Sequence, residues 1–404
     1  MRKILLGTTA VVGAALMGMG VAQAQEAPTV RVGGYFEFTG GYVDDNFDSA
    51  ATTGLPSNRG KVDFRSDMEI NVIVRGKAAN GLSYGAEVEL QIDNVTNSGS
   101  ASSGAGTIAD TDEMWGFISS PTLGTLQFGD QDNAADQLKV SAPTVTNLGE
   151  SGGWDEFIGA GADGTRYINT TINDGNDATK IIYLSPQFFG FDFGVSFAPN
   201  GAEGENWLSA NAATNAALQR NPNASIRNEI AGGLRYRGSF GNVGVAAAIG
   251  GMRADAPAGS TVRDPNAYQA GLNLSAYGVT VGGHYIWGRY GGSAPGRNGL
   301  AQGLDNSTNW NVGATYRTGA ISVGAFYSVG KRDNGVVGGV AVDEREQTSI
   351  GVGAVYTMAP GLEVFANYTN VEDENVRAFG AANVAANYRN RNIDVFILGT
   401  RLAF

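Results

Sequence analysis

Hydrophobic and polar residues alternate with a period of two along many short stretches of the chain. Between residues 61 and 75, one parity carries the apolar side chains and the other carries mainly charged side chains. Successive side chains of a β-strand point to opposite faces, so this pattern predicts a strand with one apolar and one polar face. A helix is excluded because it would spread the charges around its whole circumference. The same alternation recurs in residues 84–93, 191–197, 268–276, 279–287, 310–316 and 362–368.

The chain ends in an amphipathic strand, predicted over residues 393–404, whose last residue is the aromatic Phe404. A long apolar edge strand in a soluble domain invites aggregation, and natural proteins avoid it. A closed barrel in lipid has no free edge and removes this objection. The predicted apolar face consists of Phe396, Leu398, Thr400, Leu402 and Phe404.

Short and long connections alternate between the predicted strands. Tight turns are predicted around residues 80–81, 121–124, 186–190, 239–242, 277–278, 318–320 and 360–361, where Gly or Pro supplies the turn geometry. Longer polar segments cover residues 45–59, 96–110, 131–179, 200–225, 253–264, 290–307, 331–344 and 372–390. Seven turns and eight loops join about sixteen strands, which is typical of an outer-membrane barrel with short periplasmic turns and long extracellular loops.

The N-terminus carries the features of a secretory signal peptide. Arg2 and Lys3 precede an apolar run, and Ala22 and Ala24 frame a cleavage site of the A-x-A type. We therefore expect a signal peptide over residues 1–24 and one barrel domain over residues 25–404.

Composition excludes several functional classes. The chain has no cysteine and a single histidine, His284, so thiolate chemistry and a two-histidine metal centre are excluded. Its formal net charge of −12 argues against a nucleic-acid partner. No segment after the signal peptide has the 18 or more apolar residues of a membrane helix. A secreted chain of this composition can still span lipid as an all-β, antiparallel transmembrane barrel.

At this level the chain resembles the sixteen-stranded general porins of Gram-negative bacteria. The residues that carry the resemblance are the terminal strand to Phe404, the segment 128–134 and the long third loop that follows it. The resemblance implies a homotrimer in the outer membrane, in contact with lipid and lipopolysaccharide, with the third loop folded into each pore. It also implies that the barrel assembly machinery recognises Phe404, and that the pore passes small hydrophilic solutes by passive diffusion.

The third loop, predicted over residues 131–179, is strongly acidic and is expected to form the pore constriction. Only Lys139 and Arg166 oppose its eight acids. Acidic constrictions stabilise cations in the narrow part of a pore, so a weak cation preference is predicted. The candidate constriction acids are Asp132, Asp136, Glu150, Asp155 and Glu156. The candidate cations of the opposite wall are Lys61, Arg65, Arg75 and Arg235, with Arg31, Arg227, Arg237 and Arg401 as further members.

Some alternatives stay open at this point. Glu87 and Glu89 would point the same way on a strand, as the two carboxylates of a glycosidase do, but a polar pore wall explains them better and no enzyme is expected. No cofactor is expected, although residues 173–177 leave calcium as an alternative. Gly271, Gly282 and other glycines of the same parity could seat the inward loop, seat a partner subunit or relieve strand bending. A structural or adhesive barrel and a substrate-selective channel are the alternative functions.

Overall fold

A computed structural model describes residues 26–48, 59–93, 108–149, 152–158, 167, 171–172, 177–201, 226–291, 300–377 and 383–404. The predicted signal peptide lies outside these ranges. Within them, sixteen strands form one closed antiparallel barrel. The strands are β1 (Glu26–Asp45), β2 (Val62–Lys77), β3 (Ser83–Asp93), β4 (Ile108–Ser120), β5 (Gly124–Asp130), β6 (Thr179–Leu184), β7 (Phe191–Asn200), β8 (Arg227–Phe240), β9 (Val243–Asp255), β10 (Asn266–Ala276), β11 (Val279–Arg289), β12 (Ser307–Thr318), β13 (Ile321–Arg332), β16 (Arg345–Ala359), β17 (Leu362–Arg377) and β18 (Tyr388–Ala403).

The last strand closes the barrel against the first. β1 pairs with β2 on one side and with β18 on the other, so that Phe36 lies opposite Leu402. At the end of this seam, the backbone N–H of Phe404 donates to the carbonyl of Gly34 at 3.0 Å, and Gly34 donates back to Phe404 at 3.0 Å. The predicted terminal strand is therefore the closing strand of the barrel.

The alternation of the sequence corresponds to the two faces of the barrel wall. Along β7, Phe197 is 44% exposed on the outer face, whereas its neighbour Ser196 is 3% exposed towards the lumen. On β18, Phe396 and Leu398 lie outside, while Ile397 between them is buried. The outer face is therefore apolar, as lipid requires of a barrel wall.

All seven predicted tight turns lie at one end of the barrel, and the long connections lie at the other. At the β10–β11 turn, Gly278 has a φ of +82°, and at the β16–β17 turn, Gly361 has a φ of +80°. These left-handed values favour glycine because other side chains are strained there. The turn chemistry read from the sequence is thus confirmed.

Two predicted boundaries were wrong. β18 begins at Tyr388 instead of residue 393. The connection 331–344, predicted as a loop, contains a small hairpin of β14 (Val336–Val337) and β15 (Val340–Ala341). Gly338 and Gly339 between them both have positive φ, which is the geometry of a two-residue hairpin turn. Polar residues at the strand ends hid these extensions from the alternation pattern.

The described helical structure is short. Helix α1 (Ala134–Gln137) follows β5, and the Asn133 side chain caps it by accepting hydrogen bonds from the N–H groups of Ala135 and Asp136, each at 3.0 Å. Among the described residues, no helix is long and apolar enough to cross a membrane.

Candidate functional site

The connection between β5 and β6, residues 131–178, is called the third loop below. Its described residues fold into the barrel and follow its inner wall. Wall side chains donate hydrogen bonds to successive carbonyl groups of the loop backbone. These contacts satisfy backbone groups that the loop withdraws from water. They are Gln269 Nε2 to Ala135 O (2.7 Å), Arg235 Nη1 to Gln137 O (3.1 Å), Asn273 Nδ2 to Ser141 O (2.9 Å) and Asn367 Nδ2 to Thr146 O (2.9 Å).

Glycines on the lumen face give this loop its close approach to the wall. A Cβ atom at Gly271 would lie 1.8 Å from the carbonyl oxygen of Val140, and one at Gly313 would lie 2.2 Å from that of Pro143. Gly324 also faces a loop side chain, that of Val145. For these three positions, the structure favours the first of the three open readings, that the glycines seat the inward loop. At Gly351 and Gly353, the atoms nearest to an added Cβ belong to Phe326 and Asn367 of the wall, and Leu148 of the loop lies farther away at 3.1 and 3.3 Å. At Gly282 the space is instead filled by the side chain of Asn273.

Two apolar clusters attach the loop to the wall. Trp154, Leu148 and Ile158 of the loop pack in a cluster with residues of β1, β13 and β16–β18. On another side of the lumen, Tyr167 and Ile172 pack with residues of β8–β11, and Tyr167 also donates a hydrogen bond from its hydroxyl to Ser307 Oγ at 2.6 Å. Burial of these side chains holds the loop inside the barrel.

As a result, the lumen faces of β10–β13, β16 and β17, called the covered wall, carry polar side chains that the loop shields from water. Ser328 and Ser349 are 0% exposed. The lumen faces of β2, β3 and β4, called the open wall, differ. There the side chains of Arg75, Arg65 and Glu87 keep 40%, 25% and 20% of their surface exposed. The water-filled path therefore runs beside the open wall.

The predicted constriction acids occupy different environments. Asp136 is buried in α1, and this burial opposes ionisation of its carboxyl. The charge of Lys139, whose Nζ lies 2.6 Å from Oδ1, and hydrogen bonds from Lys139 and Thr171 together outweigh burial and lower the pKa of the carboxyl. Glu156 faces Arg65 across the lumen at 3.2 Å, and desolvation raises its pKa to about 7 although Arg65 opposes this rise. Asp132 is buried, Asp155 is half-buried, and Glu150 lies outside the described residues.

Each of the four predicted wall cations is engaged by a carboxylate. Arg65 pairs with Glu156 of the loop at 3.2 Å. The other three pair with wall residues rather than with loop acids. These pairs are Arg75 with Glu87 (3.1 Å), Arg235 with Asp192 (2.6 Å), and Lys61 with Asp44 (2.7 Å) on the exposed rim near the long-loop end. Of the further candidates, Arg237 also pairs with Asp192 at 3.0 Å, and Arg401 with Glu37 at 3.5 Å.

The open wall itself carries acids that the sequence analysis did not assign to the constriction. Asn71 of β2 lies opposite Glu89 of β3 and donates from Nδ2 to Glu69 at 3.2 Å and to Glu89 at 3.3 Å. Asp67 accepts a hydrogen bond from the Tyr35 hydroxyl at 3.0 Å. These acids occupy the polar parity of β2 and β3, which is visible in the sequence. The constriction was assigned to the third loop instead because that loop is richer in acids.

One group of carboxylates could hold a cation. Oxygen atoms of Glu113, Asp132 and Asp177 lie within 4.8 Å of one another, and a hard cation such as Ca²⁺ takes oxygen ligands of this kind. Of the calcium alternative read from residues 173–177, only Asp177 is among the described residues.

Comparison with known proteins identifies the family. The family model described as Gram-negative porin matches residues 7–376, which is most of the chain. The chain belongs to the Gram-negative porin family. A comparison with curated proteins gave no match for this porin.

Solved structures of similar fold include two porins and one outer-membrane protein. The anion-selective porin from Comamonas acidovorans is 16% identical, with a TM-score of 0.58 over 94% of this porin and 100% of that chain. A loop L8 deletion mutant of OmpT from Vibrio cholerae is 14% identical, with a TM-score of 0.57 over 94% and 100%. A mutant of the Rh. blastica porin is 18% identical, with a TM-score of 0.53 over 93% and 100%.

Family and fold together make this porin an outer-membrane channel of a Gram-negative bacterium. Within it, the third loop covers much of the inner wall, and the open wall with Glu156 and Arg65 borders the remaining path.

Proposed function

We propose that the protein is a passive diffusion channel for ions and small hydrophilic solutes, with a weak preference for cations. The observation that carries the preference is the charge of the open wall. Its carboxylates, Asp67, Glu69, Glu87 and Glu89, outnumber its arginines Arg65 and Arg75, and each arginine is already engaged by a carboxylate. A pore lined by acids concentrates cations where it is narrow.

The wall also supports a diffusion channel over a substrate-selective one. Its arginines are held singly in ion pairs, so they do not form the free cluster that would bind an anionic solute. The lumen aromatics of the open wall are confined to Trp115 and its neighbour Phe117, among the residues that the structure describes. Such a wall provides a charged surface, but it has neither a free arginine cluster nor a continuous row of aromatic side chains that would bind one particular solute.

The finer features expected from the family are part of the same proposal. We expect cleavage of residues 1–24 on secretion, assembly into a homotrimer, and contact of the apolar outer face with outer-membrane lipid and lipopolysaccharide. Phe404, whose side chain is 54% exposed at the closing seam, is accessible for recognition by the assembly machinery. No enzymatic activity and no cofactor belong to this function.

The reversal potential of the purified protein in a planar bilayer, under a KCl gradient, tests the proposal. We expect stepwise conductance, in groups of three for a trimer, and a reversal potential of the sign that cation preference gives. An anion-leaning potential would contradict the role of the wall acids. A folded barrel without conductance would favour the structural or adhesive alternative.

A further inference from the structure

The two ends of the lumen differ in charge. Towards the long loops, Asp67 and Glu69 of β2 and Glu156 of the third loop border the open path. Towards the tight turns, cations outnumber carboxylates on the described lumen wall, even when Glu26, opposite Lys77 at the start of β1, is counted with the carboxylates. The other carboxylates there are Glu37, Glu87, Asp192 and Glu363, and the cations are Arg31, Arg75, Lys77, Arg235, Arg237, Arg317 and Arg401.

Ion pairs neutralise only part of this positive charge. The carboxylate of Asp192 is shared by two guanidinium groups, that of Arg235 at 2.6 Å and that of Arg237 at 3.0 Å. In the part of the chain that the structure describes, no carboxylate lies within ion-pair distance of Arg31, Lys77 or Arg317. Both Arg31 and Arg317 are exposed, and the Arg237 side chain is 51% exposed. We call the four residues Arg31, Lys77, Arg237 and Arg317 the basic mouth.

The basic mouth and the acids of the open wall are far enough apart to act separately. Lys77 and Asp67 lie ten residues apart on β2. This spacing corresponds to about 25 Å along the axis of a barrel with tilted strands. The Debye length is about 10 Å in 0.1 M salt and about 3 Å in 1 M salt. In 0.1 M salt, each end therefore attracts its own counter-ions, whereas 1 M salt screens both ends.

We propose that the basic mouth makes the channel conduct unequally in the two directions. When the long-loop end is electrically positive, cations enter at the acidic end and anions enter at the basic end, so both kinds of ion are supplied by the end that attracts them. With the opposite polarity, both must enter through the end that repels them, and the current is lower. This inference rests on the proposed function of a cation-preferring diffusion channel. It adds the residues that oppose the cation preference at the tight-turn end.

The size of the effect follows from Coulomb's law with screening. A unit charge about 7 Å from an ion in water interacts with it by about RT, and 0.1 M salt reduces this to about half. Each such cation therefore raises the local concentration of anions by a factor of about 1.6 and lowers that of cations by the same factor. Since the basic mouth carries more than one excess charge, we expect currents of opposite polarity to differ about twofold in 0.1 M KCl.

The test compares the wild type with a variant in which glutamine replaces all four residues of the basic mouth. The control is Arg253→Gln, because Arg253 is an exposed cation on the outer face of β9 near the long loops. Every channel also carries Lys61→Cys on the rim at the long-loop end. A thiol reagent that reacts from one chamber identifies the orientation of the channel in the planar bilayer, since the natural chain has no cysteine.

Single-channel currents are measured at equal and opposite voltages. In 0.1 M KCl, the wild type and the control should pass about twofold more current when the long-loop end is positive, and the basic-mouth variant should pass equal currents. In 1 M KCl, all three should conduct alike in both directions, which shows that the variant forms the same pore. Equal currents in the wild type at 0.1 M KCl, or a difference that survives in the variant, would overturn the inference.

Reversal potentials in two opposite KCl gradients separate this inference from the proposed function. Charges act most strongly at the end that faces the dilute solution, because screening is weakest there. The cation preference should be weaker when the dilute solution faces the basic mouth, and the basic-mouth variant should lose this difference. Cation preference of equal strength in both gradients would overturn the inference alone. A folded channel that does not conduct, or that prefers anions in both gradients, would contradict the proposed function on which the inference rests.

Discussion

Replacement of Gly271 by alanine should push the third loop away from the barrel wall. The new Cβ would lie 1.8 Å from the carbonyl oxygen of Val140, and because this oxygen belongs to the backbone, it cannot turn aside as a side chain could. Ordinary contact between carbon and oxygen requires about 3.3 Å, so the loop must move by about 1.5 Å at this point. Overpacking of this kind costs about 1–3 kcal/mol. The loop can move only into the lumen, so the pore should narrow.

The assay combines single-channel conductance in a planar bilayer with urea unfolding of the refolded barrel. Gly271→Ala and Gly313→Ala should both lower the conductance and the free energy of unfolding. Gly244→Ala is the matched control, because it also lies on the lumen side of a strand but its Cβ would meet nothing closer than 3.7 Å. If Gly271→Ala conducts and unfolds like Gly244→Ala, the loop does not lie against the wall as described.

Three further predictions concern separate parts of the molecule. The pKa of Glu156 is raised to about 7, so its negative charge is present above that pH and lost below it. The cation preference of the pore should therefore fall as the pH is lowered from 8 to 6. Glu156→Gln should abolish this fall. Arg345 and Asp373 form a bidentate pair at 2.7 and 2.8 Å with both side chains 0% exposed. Arg345→Met should therefore lower the free energy of unfolding by about 3–5 kcal/mol in urea, and adding Asp373→Leu should recover most of the loss. Phe404→Ala keeps the backbone hydrogen bonds to Gly34, so the refolded variant should conduct normally. The amount of the variant in the outer membrane, measured by immunoblot, should fall. An unchanged amount would contradict recognition of Phe404 by the assembly machinery.

The barrel could be predicted because its determinants are local. Alternation fixes which face of each strand meets lipid, and Gly in a turn such as Gly278 fixes where a hairpin closes. Both signals are complete within about ten residues of sequence, and the number of strands follows from counting them. The alternation fails at strand ends such as Tyr388, where both faces of the strand meet water and polar residues occupy either parity.

The course of the third loop could not be predicted, because it depends on contacts between residues far apart in sequence. Thr146 Oγ1 donates to Glu363 Oε2 at 3.0 Å across 217 positions, and no local pattern encodes this pairing. The same limit applies to the pairs of Arg75 and Arg235 with wall acids, which depend on cross-strand register. The lumen-facing glycines can be recognised in the sequence. Their role, which is to let the third loop approach the wall closely, follows only from the position of the loop in the structure.

The central claim is that the open path runs beside β2–β4 while the loop covers the lumen face of strands such as β16. The absence of cysteine from the natural chain allows a direct test by single cysteine substitutions. A charged thiol reagent applied to the conducting channel should react rapidly at Asp67→Cys and change the current. It should leave Ser349→Cys, which replaces a residue with 0% exposure behind the loop, unmodified. Equal reaction rates at the two positions would contradict this account of the pore.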